Sequence, residues 1–487
     1  MQRLSESTLG KVAAGTLLPA YDRTAVACGI LHLGIGAFHR AHQAVYTELA
    51  MNARGGDWAI SGVSLRSDAV ARQLRPQDCL YSVLSEDGTG HTLRVVGAVK
   101  DVLVATDQLP QVLSRIADPA IQIISLTITE KGYCSSGAGL DSTHPDIVAD
   151  LAHPNQPTTA IGILALGLSL RHGAGEAPLT VISCDNLSQN GRVLKTVLYQ
   201  YCQGAFPALP GWLDQHVRFP SSMVDRIVPA IEPEQRSRQS QLLGIEDASA
   251  IATEPFMQWV VENDFAADRP AWEEAGVILV DDIRPYEDIK LGMLNASHSA
   301  IACSGLMAGL PTVDAVMTDP VTGTFIRQLM LNDLMPGLDI PARFDLAAYR
   351  EQLLERFANP KLRHRCEQIF VDSSAKISQR WVQHLQRPGD KPYLSLALSA
   401  WCYLVLHTDV EIEDPARDAL LRLRDDGAGA SLAELLSLAQ VRPDTVHDFD
   451  ALCAEISRTI AHISDSGFQA CIESLSRGKP RENVKLQ

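Results

Sequence analysis

Short apolar runs alternate with segments of helical periodicity from the start of the chain to about residue 285. Five of these runs have the pattern of buried strands, and they lie at residues 29–33, 58–65, 121–128, 179–183 and 277–280. Strands that are apolar throughout and separated by helices are typical of a parallel sheet covered on both faces. The pattern therefore predicts an α/β fold for this first part.

After residue 285 the strand-like runs stop, and helical patterns follow one another. The clearest of them lie at residues 349–357, 394–406 and 432–438. A chain of 487 residues also exceeds what one hydrophobic core supports. We therefore expect two domains, an α/β domain over residues 1–285 and a mostly α-helical domain over residues 286–487.

Composition narrows the class of function. A formal net charge of −16 argues against a nucleic-acid partner, because neutralising phosphates requires clustered Lys and Arg. The sequence has no run of 18 or more apolar residues and no apolar signal region at its start, so neither a membrane span nor a signal peptide is predicted. The ten cysteines show no CxxC pair and no zinc-ligand spacing. We therefore expect reduced thiols, no metal and a cytoplasmic protein.

A Gly-x-Gly turn follows the first predicted strand and precedes a helical pattern. In a dinucleotide-binding fold such glycines let the backbone approach a pyrophosphate, and the start of the helix supplies a positive dipole. The third glycine of the GxGxxG pattern is missing, and His39 stands in its place, so the motif alone is weak evidence. The residues expected to contact the cofactor here are Leu33, Gly34, Ile35, Gly36, Ala37, Phe38, His39 and Arg40.

An acid shortly after the second predicted strand bears on which dinucleotide would bind. Asp68 stands where such folds hold the ribose 2′-hydroxyl, which favours NAD over NADP. Arg66 lies beside it, and an arginine can accept a 2′-phosphate instead. The alternative for Asp68 is an ordinary residue of a surface turn. We expect NAD, with Arg66 and Asp68 in the cofactor site.

The densest set of polar side chains lies on one helix predicted over residues 285–299. At about 100° per residue, four of its side chains fall within an arc of roughly 140°, namely Glu287, Lys290, Asn295 and His298. Small or apolar residues occupy the opposite arc. Burial of an amine in such a setting would lower its pKa and suit it to act as a general base. The alternative is an ordinary amphipathic helix with a solvated polar face.

Two further polar positions stand at or near the ends of apolar runs. Asn186 follows the strand at 179–183, near the carboxyl edge where open α/β sheets bind ligands. Its amide is able to donate to an oxygen that gains negative charge, although an Asp-Asn pair after a strand is also a common turn. Asp225 stands beside Arg226 between apolar residues. That position fits either a buried ion pair or an acid that orients substrate hydroxyl groups.

Taken together, seven segments of the chain resemble the mannitol dehydrogenase family, the polyol-specific long-chain dehydrogenases and reductases. They span nearly the whole length, at residues 32–46, 125–133, 183–191, 223–229, 254–265, 269–277 and 285–299. The family signature is a lysine, four residues, an asparagine, two residues and a histidine, which Lys290, Asn295 and His298 match. The resemblance implies an NAD(H)-dependent oxidoreductase that uses no metal. It also implies a Rossmann-type N-terminal domain and a largely helical C-terminal domain.

The same resemblance implies roles for the polar residues around the reacting carbonyl. Lys290 would be the general acid/base, giving a proton to the carbonyl oxygen on reduction and taking it back on oxidation. Asn186 and Asn295 would hold that oxygen while negative charge builds on it. His298 would orient the substrate through a neighbouring hydroxyl group.

Three other residues take secondary roles by resemblance. Glu287 would control proton exchange with solvent. Asp225 and Lys376 would hold the remainder of the sugar chain. The partner is thus a small sugar acid or polyol, and a monomer or small homo-oligomer is expected.

The substrate class within the family depends on the far end of the sugar. Polyol members typically carry an arginine eight residues before Lys376, and Gln368 stands there in this chain. The surrounding stretch is more similar to members that interconvert fructuronate and mannonate, and a carboxylate would require extra positive charge. Lys131, Arg363 and Arg365 are the candidate cations. We therefore expect Gln368 and Arg365 in the substrate site and favour a sugar acid.

The alternative substrate is a neutral polyol or ketose, as in mannitol 2-dehydrogenase or D-arabinitol dehydrogenase. Residues 62–67 resemble the mannitol enzymes. Fructose and fructuronate present the same ketone beside a terminal CH₂OH group, so one catalytic set suits both.

Overall fold

The computed structural model describes residues 1–137, 139–175, 177–342, 344–427 and 431–477. The chain divides into two compact units, Met1–Arg284 and Pro285–Gln487.

All the strands of the described residues lie in the first unit. In chain order they are β1 (Cys28–Leu33), β2 (Ala59–Ser64), β3 (Tyr81–Glu86), β4 (His91–Val96), β5 (Val99–Val104), β6 (Ile123–Leu126), β7 (Ser135–Ser136), β8 (Gly139–Leu140), β9 (Leu179–Ser183), β10 (Val217–Arg218), β11 (Ser222–Asp225), β12 (Ile251–Thr253), β13 (Gln258–Glu262) and β14 (Ile278–Val280).

A six-stranded parallel sheet forms the centre of this unit, with the strand order β10-β9-β6-β1-β2-β5. The chain builds β1, β2 and β5 outward in one direction and then crosses back to place β6 on the other side of β1. This is the doubly wound order of a dinucleotide-binding domain, with its switch point between β1 and β6. The expected Rossmann-type fold is confirmed.

Apolar residues cover both faces of the sheet, because side chains alternate along each strand. Ile30 and Ile123 belong to one core cluster, and their neighbours Leu31 and Ile124 belong to the other. Helices pack on each face. The helices of this unit are α1 (Ala37–Ala41), α2 (Gln43–Arg54), α3 (Ala69–Leu74), α4 (Ala105–Ala117), α5 (Pro145–Ala152), α6 (Ala160–Ala174), α7 (Asn190–Ala205), α8 (Leu209–His216) and α9 (Pro233–Leu243). Single 3₁₀ turns lie at Glu6–Lys11, Arg75–Gln77, Glu130–Tyr133 and Trp272–Ala275.

The predicted strands overlap β1, β2, β6, β9 and β14. One prediction needs correction, since β14 lies not in the parallel sheet but in a mixed three-stranded sheet with β13 and β11. The sequence pattern also missed β5, because Lys100 and Asp101 interrupt its apolar run. An edge strand tolerates such residues because only one of its sides is paired, and β5 forms one edge of the sheet.

The second unit is helical, and the strand-free pattern predicted after residue 285 is confirmed for its described residues. Its α-helices are α10 (Arg284–Ile289, beginning at the last residue of the first unit), α11 (Ala296–Ala308), α12 (Val313–Thr318), α13 (Pro320–Leu329), α14 (Leu346–Phe357), α15 (Cys366–Phe370), α16 (Ser373–Arg380), α17 (Val382–Leu385), α18 (Pro392–His407), α19 (Arg417–Asp426), α20 (Leu432–Leu438), α21 (Phe449–Ser466) and α22 (Phe468–Arg477). Two π-helical segments lie at Lys290–Asn295 and Met330–Leu334.

Helix α11 lies at the centre of this unit, in contact with α12, α13, α15, α16 and α18. Its residues are mostly Ala, Ser, Cys and Gly, and the first ten are buried. Small side chains let the neighbouring helices approach closely. A Cβ on Gly305, for example, would lie 2.5 Å from Cys366 Sγ. In the described part of the chain, no helix combines the length and hydropathy that a membrane span requires.

Candidate active site

Two segments far apart in sequence meet beside the first glycine at the carboxyl edge of the parallel sheet. Gly34 follows β1, and Thr127 follows the neighbouring strand β6. Gly34 has a φ of +97°, and a Cβ on it would lie 2.1 Å from the carbonyl oxygen of Thr127. No other residue fits there without moving the backbone.

The second glycine of the turn faces open space. A Cβ on Gly36 would meet only the carbonyl oxygen of Gly34, at 3.8 Å. Gly36 and Ala37 are exposed, whereas Leu33 and Ile35 are buried and fix the turn to the core. An open approach to exposed backbone beside the sheet's switch point fits the pyrophosphate of a dinucleotide.

The side chain of His39 does not lie on that open surface. It is fully buried, and its ring stacks on His32 with centroids 3.4 Å apart. His32 in turn contacts Ser125 Oγ and Thr127 Oγ1, each at 2.8 Å. Burial lowers the pKa of His32 to about 3 and that of His39 well below its ordinary value, so both rings are neutral. Only the backbone of His39 is placed to contact a cofactor.

Arg40 also turns inward. Its guanidinium donates to the carbonyl and hydroxyl oxygens of Ser249, at 3.0 and 2.7 Å, and lies over the ring of Tyr81. Phe38 is half-buried and stacks on His42. The side chains of His39 and Arg40 are therefore buried, and contact of these two residues with a cofactor stays a prediction for their backbone. A sequence motif shows the position of a residue but not the direction of its side chain.

Asp68 lies beyond the end of β2, the strand next to β1 in the sheet. Its carboxylate is half-exposed and pairs with Arg72 at 3.1 Å, one helical turn later. Arg66 is exposed nearby in the chain. An exposed acid after the second strand is the arrangement in which such folds hold a ribose hydroxyl.

Asp185 holds the loop after β6 at the same sheet edge, a role that the sequence patterns did not predict. Its carboxylate accepts hydrogen bonds from the backbone N–H groups of Ile128 and Thr129 and from the hydroxyl of Tyr133, at 2.8–3.0 Å. Thr129 has a φ of +64°, which is strained for a residue with a side chain. Burial raises the pKa of Asp185 despite these donors. The signal available in the sequence was an acid immediately after a buried strand.

Asn186 is exposed directly after that buried acid. The side-chain amide of Asn190 ties this loop to β11, donating to the carbonyl oxygens of Asp185 and Ser222 at 2.9 and 2.8 Å. Asn186 is thus an accessible polar residue, as is Ser188, of a loop that Asn190 holds in place.

Asp225 is the last residue of β11 and is buried. The neighbouring Arg226 donates to Ser85 Oγ at 2.8 Å and to the carbonyl oxygens of Glu254 and Ala41. Burial lowers the pKa of Arg226 to about 10. Arg226 is therefore held in place by backbone and hydroxyl acceptors.

In the helical unit, the predicted regular helix over 285–299 is interrupted. Residues Lys290–Asn295 form a π-turn between α10 and α11, and the N–H of Ala296 donates to the carbonyl of Leu291, five residues back. A π-turn contains one residue more than an α-helical turn and is often found at functional sites. The arc calculated for a regular helix is therefore wrong, because the register changes within it.

The four polar residues of this segment are nevertheless all buried. Glu287, Lys290, Asn295 and His298 are 6, 9, 7 and 8 % exposed. Lys290 and Asn295 begin and end the π-turn, and His298 lies in the first turn of α11. The alternative of a solvated polar face is thus excluded.

His298 is neutral, and one of its ring nitrogens is unsatisfied. Within the described residues, its Nε2 has no hydrogen-bond partner. Its ring lies 4.7 Å from the Phe357 ring and 5.7 Å from the His364 ring, centroid to centroid. Burial, and then nearby groups that include Arg380 and Lys376, hold the pKa of His298 well below its ordinary value. A buried neutral imidazole of this kind fits a substrate hydroxyl.

Three cationic side chains contribute to the low pKa of His298. Arg356, Lys376 and Arg380 all act on its titration. The amine of Lys376 donates to the carbonyl oxygen of Ile369 at 2.9 Å and also to that of Val371. Lys376 is thus held by two backbone carbonyl oxygens, and its role in binding a substrate stays a prediction.

Arg365 and Gln368 lie elsewhere in the helical unit. Both are exposed, and they line a cavity of about 810 Å³ that, among the described residues, is not lined by Lys290, Asn295 or His298. Arg365 pairs with Glu367 at 2.5 Å on the surface. The placement of Arg365 and Gln368 in the substrate site stays a prediction.

The other two candidate cations, Lys131 and Arg363, are also exposed. Arg363 has a φ of +47°. The surface positions of Arg363 and Arg365 in the helical unit contrast with those of Lys376 and Arg380, whose charges act on a buried ring. Arg363 and Arg365 flank the half-buried His364 in sequence, yet both of their side chains lie on the surface.

The cysteines are free thiols, eight buried and two half-buried. Within the described ranges, no group of three or more His, Cys, Asp or Glu side chains is arranged as metal ligands.

Comparisons with known proteins identify related enzymes. Residues 28–274 match the model of the mannitol dehydrogenase Rossmann domain, and residues 282–464 match that of the mannitol dehydrogenase C-terminal domain. The chain is 42% identical to the oxidoreductase YeiQ of Escherichia coli over 88% of its own length and 91% of that protein. It is 36% identical to the D-mannonate oxidoreductase of E. coli, over 94% and 97% of the two chains. The solved ternary complex of Pseudomonas fluorescens mannitol 2-dehydrogenase with NAD and D-mannitol is 34% identical, with a TM-score of 0.84 over 98% of this chain and 100% of the other.

The open space at Gly36 leads to a prediction about dinucleotide binding. Gly36→Val should raise the dissociation constant for NADH about tenfold or more, or about 1.4 kcal/mol, because the side chain would fill the approach to the turn. Its Cβ would still meet no protein atom closer than 3.8 Å, so the fold should persist. Fluorescence titration measures the affinity, and thermal unfolding reports on the fold.

Gly10→Val is the matched control, since a Cβ on Gly10 also meets nothing within 4 Å. Unchanged NADH affinity in Gly36→Val would show that the pyrophosphate does not bind against this turn.

Proposed function

The chain belongs to the mannitol dehydrogenase family of oxidoreductases, as its motifs predicted, and from that membership we propose that it interconverts a keto sugar acid and its reduced aldonate with NAD(H). A fructuronate-type ketone and a mannonate-type product are the proposed pair. The observation that carries the proposal is the buried neutral ring of His298, beside the π-turn with Lys290 and Asn295 and within reach of positive charge.

The proton chemistry is assigned to Lys290. When bound, the dinucleotide supplies or accepts the hydride. On reduction the Lys290 ammonium gives its proton to the carbonyl oxygen, and on oxidation the amine takes the hydroxyl proton. Burial of Lys290 supports this role, because few water molecules compete for the proton.

The remaining polar residues bind and orient the substrate in this proposal. The amides of Asn186 and Asn295 donate to the substrate oxygen as negative charge builds on it. The unsatisfied nitrogen of His298 binds an adjacent hydroxyl group. Glu287, which is buried one turn before Lys290, passes protons to solvent. Asp225 binds hydroxyl groups of the substrate that lie further from the reacting carbon.

NAD(H) is the proposed cofactor rather than NADP(H). The exposed carboxylate of Asp68 is placed to accept from a ribose 2′-hydroxyl and to repel a 2′-phosphate. The mannitol 2-dehydrogenase of similar fold was solved with NAD. The reduced thiols support a cytoplasmic location.

A sugar acid is favoured over a neutral sugar because of the charges near His298. A carboxylate at the far end of the substrate would be stabilised by Lys376 and Arg380. These two cations take the place of the exposed Arg365 as the proposed carboxylate seat. The D-mannonate oxidoreductase of E. coli is similar to this chain over nearly its whole length, to about the same degree as the mannitol 2-dehydrogenases are.

A neutral polyol is the second candidate, and one contact favours it. The amine of Lys376 already donates to two backbone carbonyl oxygens, which reduces its capacity to bind a carboxylate. Mannitol 2-dehydrogenases are as similar to this chain as the mannonate enzyme is.

Removal of the proposed acid/base provides the first functional test. Lys290→Ala should lower kcat about 10²–10⁴-fold while NADH affinity stays near that of the wild type. The rise of the oxidation rate with pH should disappear with the amine. In His298→Gln that rise should persist at a lower rate, because the pKa of His298 lies well below its ordinary value and does not cause it. Full activity of Lys290→Ala would contradict the mechanism.

Cofactor preference tests the role of Asp68. The wild type should show a higher kcat/KM with NADH than with NADPH, and Asp68→Ala should reduce that preference by removing the repulsion of a 2′-phosphate near Arg66. Asp282→Ala is a matched control, since it removes another partly exposed, arginine-paired carboxylate from the same unit. A wild type that prefers NADPH would show that Asp68 has been misassigned.

Parallel rates with fructuronate and fructose test the substrate class. Charge-assisted contacts worth about 1.5–3 kcal/mol should favour the uronate by about one to two decades. Lys376→Gln should reduce that preference, whereas Arg365→Gln should leave it unchanged because Arg365 is a surface ion-pair residue. Faster reduction of fructose by the wild type would assign the chain to the polyol branch.

A further inference from the structure

The π-turn is bordered by three side-chain donors, and the proposed function gives a role to only one of them, Arg380. Arg380 ends α16, Trp381 lies between α16 and α17, and His384 lies in α17. Each donates to a backbone carbonyl in or just after the π-turn. His384 Nε2 lies 3.1 Å from the carbonyl oxygen of Gly292, Arg380 Nη1 lies 3.2 Å from that of Asn295, and Trp381 Nε1 lies 3.0 Å from that of Ala296.

These contacts lie where the regular backbone hydrogen bonding of the helix is interrupted. A π-turn shifts the backbone hydrogen bonds by one residue and leaves carbonyl groups without their usual N–H partner. An unsatisfied buried carbonyl costs about 1–3 kcal/mol. The three donors add hydrogen bonds to backbone carbonyl groups within five consecutive residues, Gly292–Ala296, and we expect them to stabilise the π-turn relative to a regular helix.

Gly292 shows how closely the donors fit. A Cβ on this residue would lie 3.1 Å from Nε2 of His384 and 3.0 Å from the side chain of Leu338. Only glycine leaves room for the imidazole to reach the carbonyl without a shift. Burial lowers the pKa of His384 to about 4, so the ring is neutral at ordinary pH, and its contact with a carbonyl assigns the proton to Nε2.

We propose that Arg380, Trp381 and His384 are positioning residues that hold Lys290–Asn295 in the π conformation and thereby set the direction of Lys290 relative to Asn295 and His298. The proposal rests on the role assigned above to Lys290. An α-helix advances about 100° per residue. A return of the π-turn to a regular helix would therefore rotate Lys290 by roughly that angle relative to His298.

Two buried tryptophans of the helical unit form a matched pair for the test. Trp381 and Trp401 are both fully buried, and each donates its indole N–H over 3.0 Å. The acceptor of Trp381 is the carbonyl of Ala296 beside the π-turn, whereas that of Trp401 is the hydroxyl of Ser373. Trp381→Phe and Trp401→Phe thus remove the same donor and the same volume, with similar expected losses of thermal stability.

The catalytic readout separates positioning from stability. Trp381→Phe should lower kcat about tenfold or more, the loss of roughly one buried hydrogen bond, with the KM for NADH nearly unchanged. The midpoint of the pH dependence of oxidation should also shift, because the surroundings of Lys290 change. Trp401→Phe should keep kcat and that midpoint.

His384 allows a rescue experiment. His384→Leu should act as Trp381→Phe does, because it removes the donor to Gly292 while filling similar space. His384→Gln should keep most of the kcat that His384→Leu loses, since the side-chain amide nitrogen of the glutamine reaches about as far as Nε2 of the histidine. Arg380 is less suitable for this purpose, because its charge also acts on His298.

Hydrogen exchange gives a readout that does not depend on turnover. Amides of the segment 290–300 should exchange about tenfold faster in Trp381→Phe and His384→Leu and at the wild-type rate in Trp401→Phe. Equal exchange and equal kcat in Trp381→Phe and Trp401→Phe would overturn the positioning role and leave the proposed function standing. A wild type that turns over no ketone or polyol would contradict the function, while the exchange rates would still decide whether these side chains hold the π-turn.

Discussion

Irregular backbone that is buried must find hydrogen-bond partners, and this constraint governs the candidate residues of both units. In the α/β unit the carboxylate of Asp185 satisfies the N–H groups of Ile128 and Thr129 after the sheet ends. In the helical unit the carbonyl groups of the π-turn are satisfied from α16 and α17. In each case a residue with a proposed catalytic role, Asn186 or Lys290, lies on backbone that these hydrogen bonds hold in place.

Electrostatics follows from the same burial. The ring of His298 is neutral because it is desolvated and surrounded by cations, so it binds as a hydrogen-bonding group and not as a charge. Two of these cations already make hydrogen bonds within the unit, Lys376 to the carbonyl oxygens of Ile369 and Val371 and Arg380 to Asn295 and Ser299. A neutral orienting group with positive charge nearby is the basis of the proposal that the substrate is a sugar acid. Whether the substrate is a sugar acid or a neutral polyol then depends on a few side-chain contacts. The relatives do not decide it, because a D-mannonate oxidoreductase and a mannitol 2-dehydrogenase are equally similar to this chain.

Glycines permit the close backbone contacts in both units because they have no side chain. Gly34 lets β1 turn against the carbonyl of Thr127, and Gly292 lets His384 reach the π-turn. Gly36 differs from both, because the space beside it is open. Two of the three glycines thus serve internal packing, and the third leaves room for a ligand.

The sequence alone determined the fold class, the position of the Gly-x-Gly turn and the Lys290, Asn295 and His298 signature, because local periodicity and short motifs are properties of neighbouring residues. It also indicated that Lys290 lies in an apolar setting. The tertiary structure decided the rest. Neither the inward turn of His39 nor the surface position of Arg365 is encoded in local spacing, since each depends on residues far away in the chain. The π-turn is the clearest case, because its donors stand about ninety residues beyond the carbonyl groups that they satisfy.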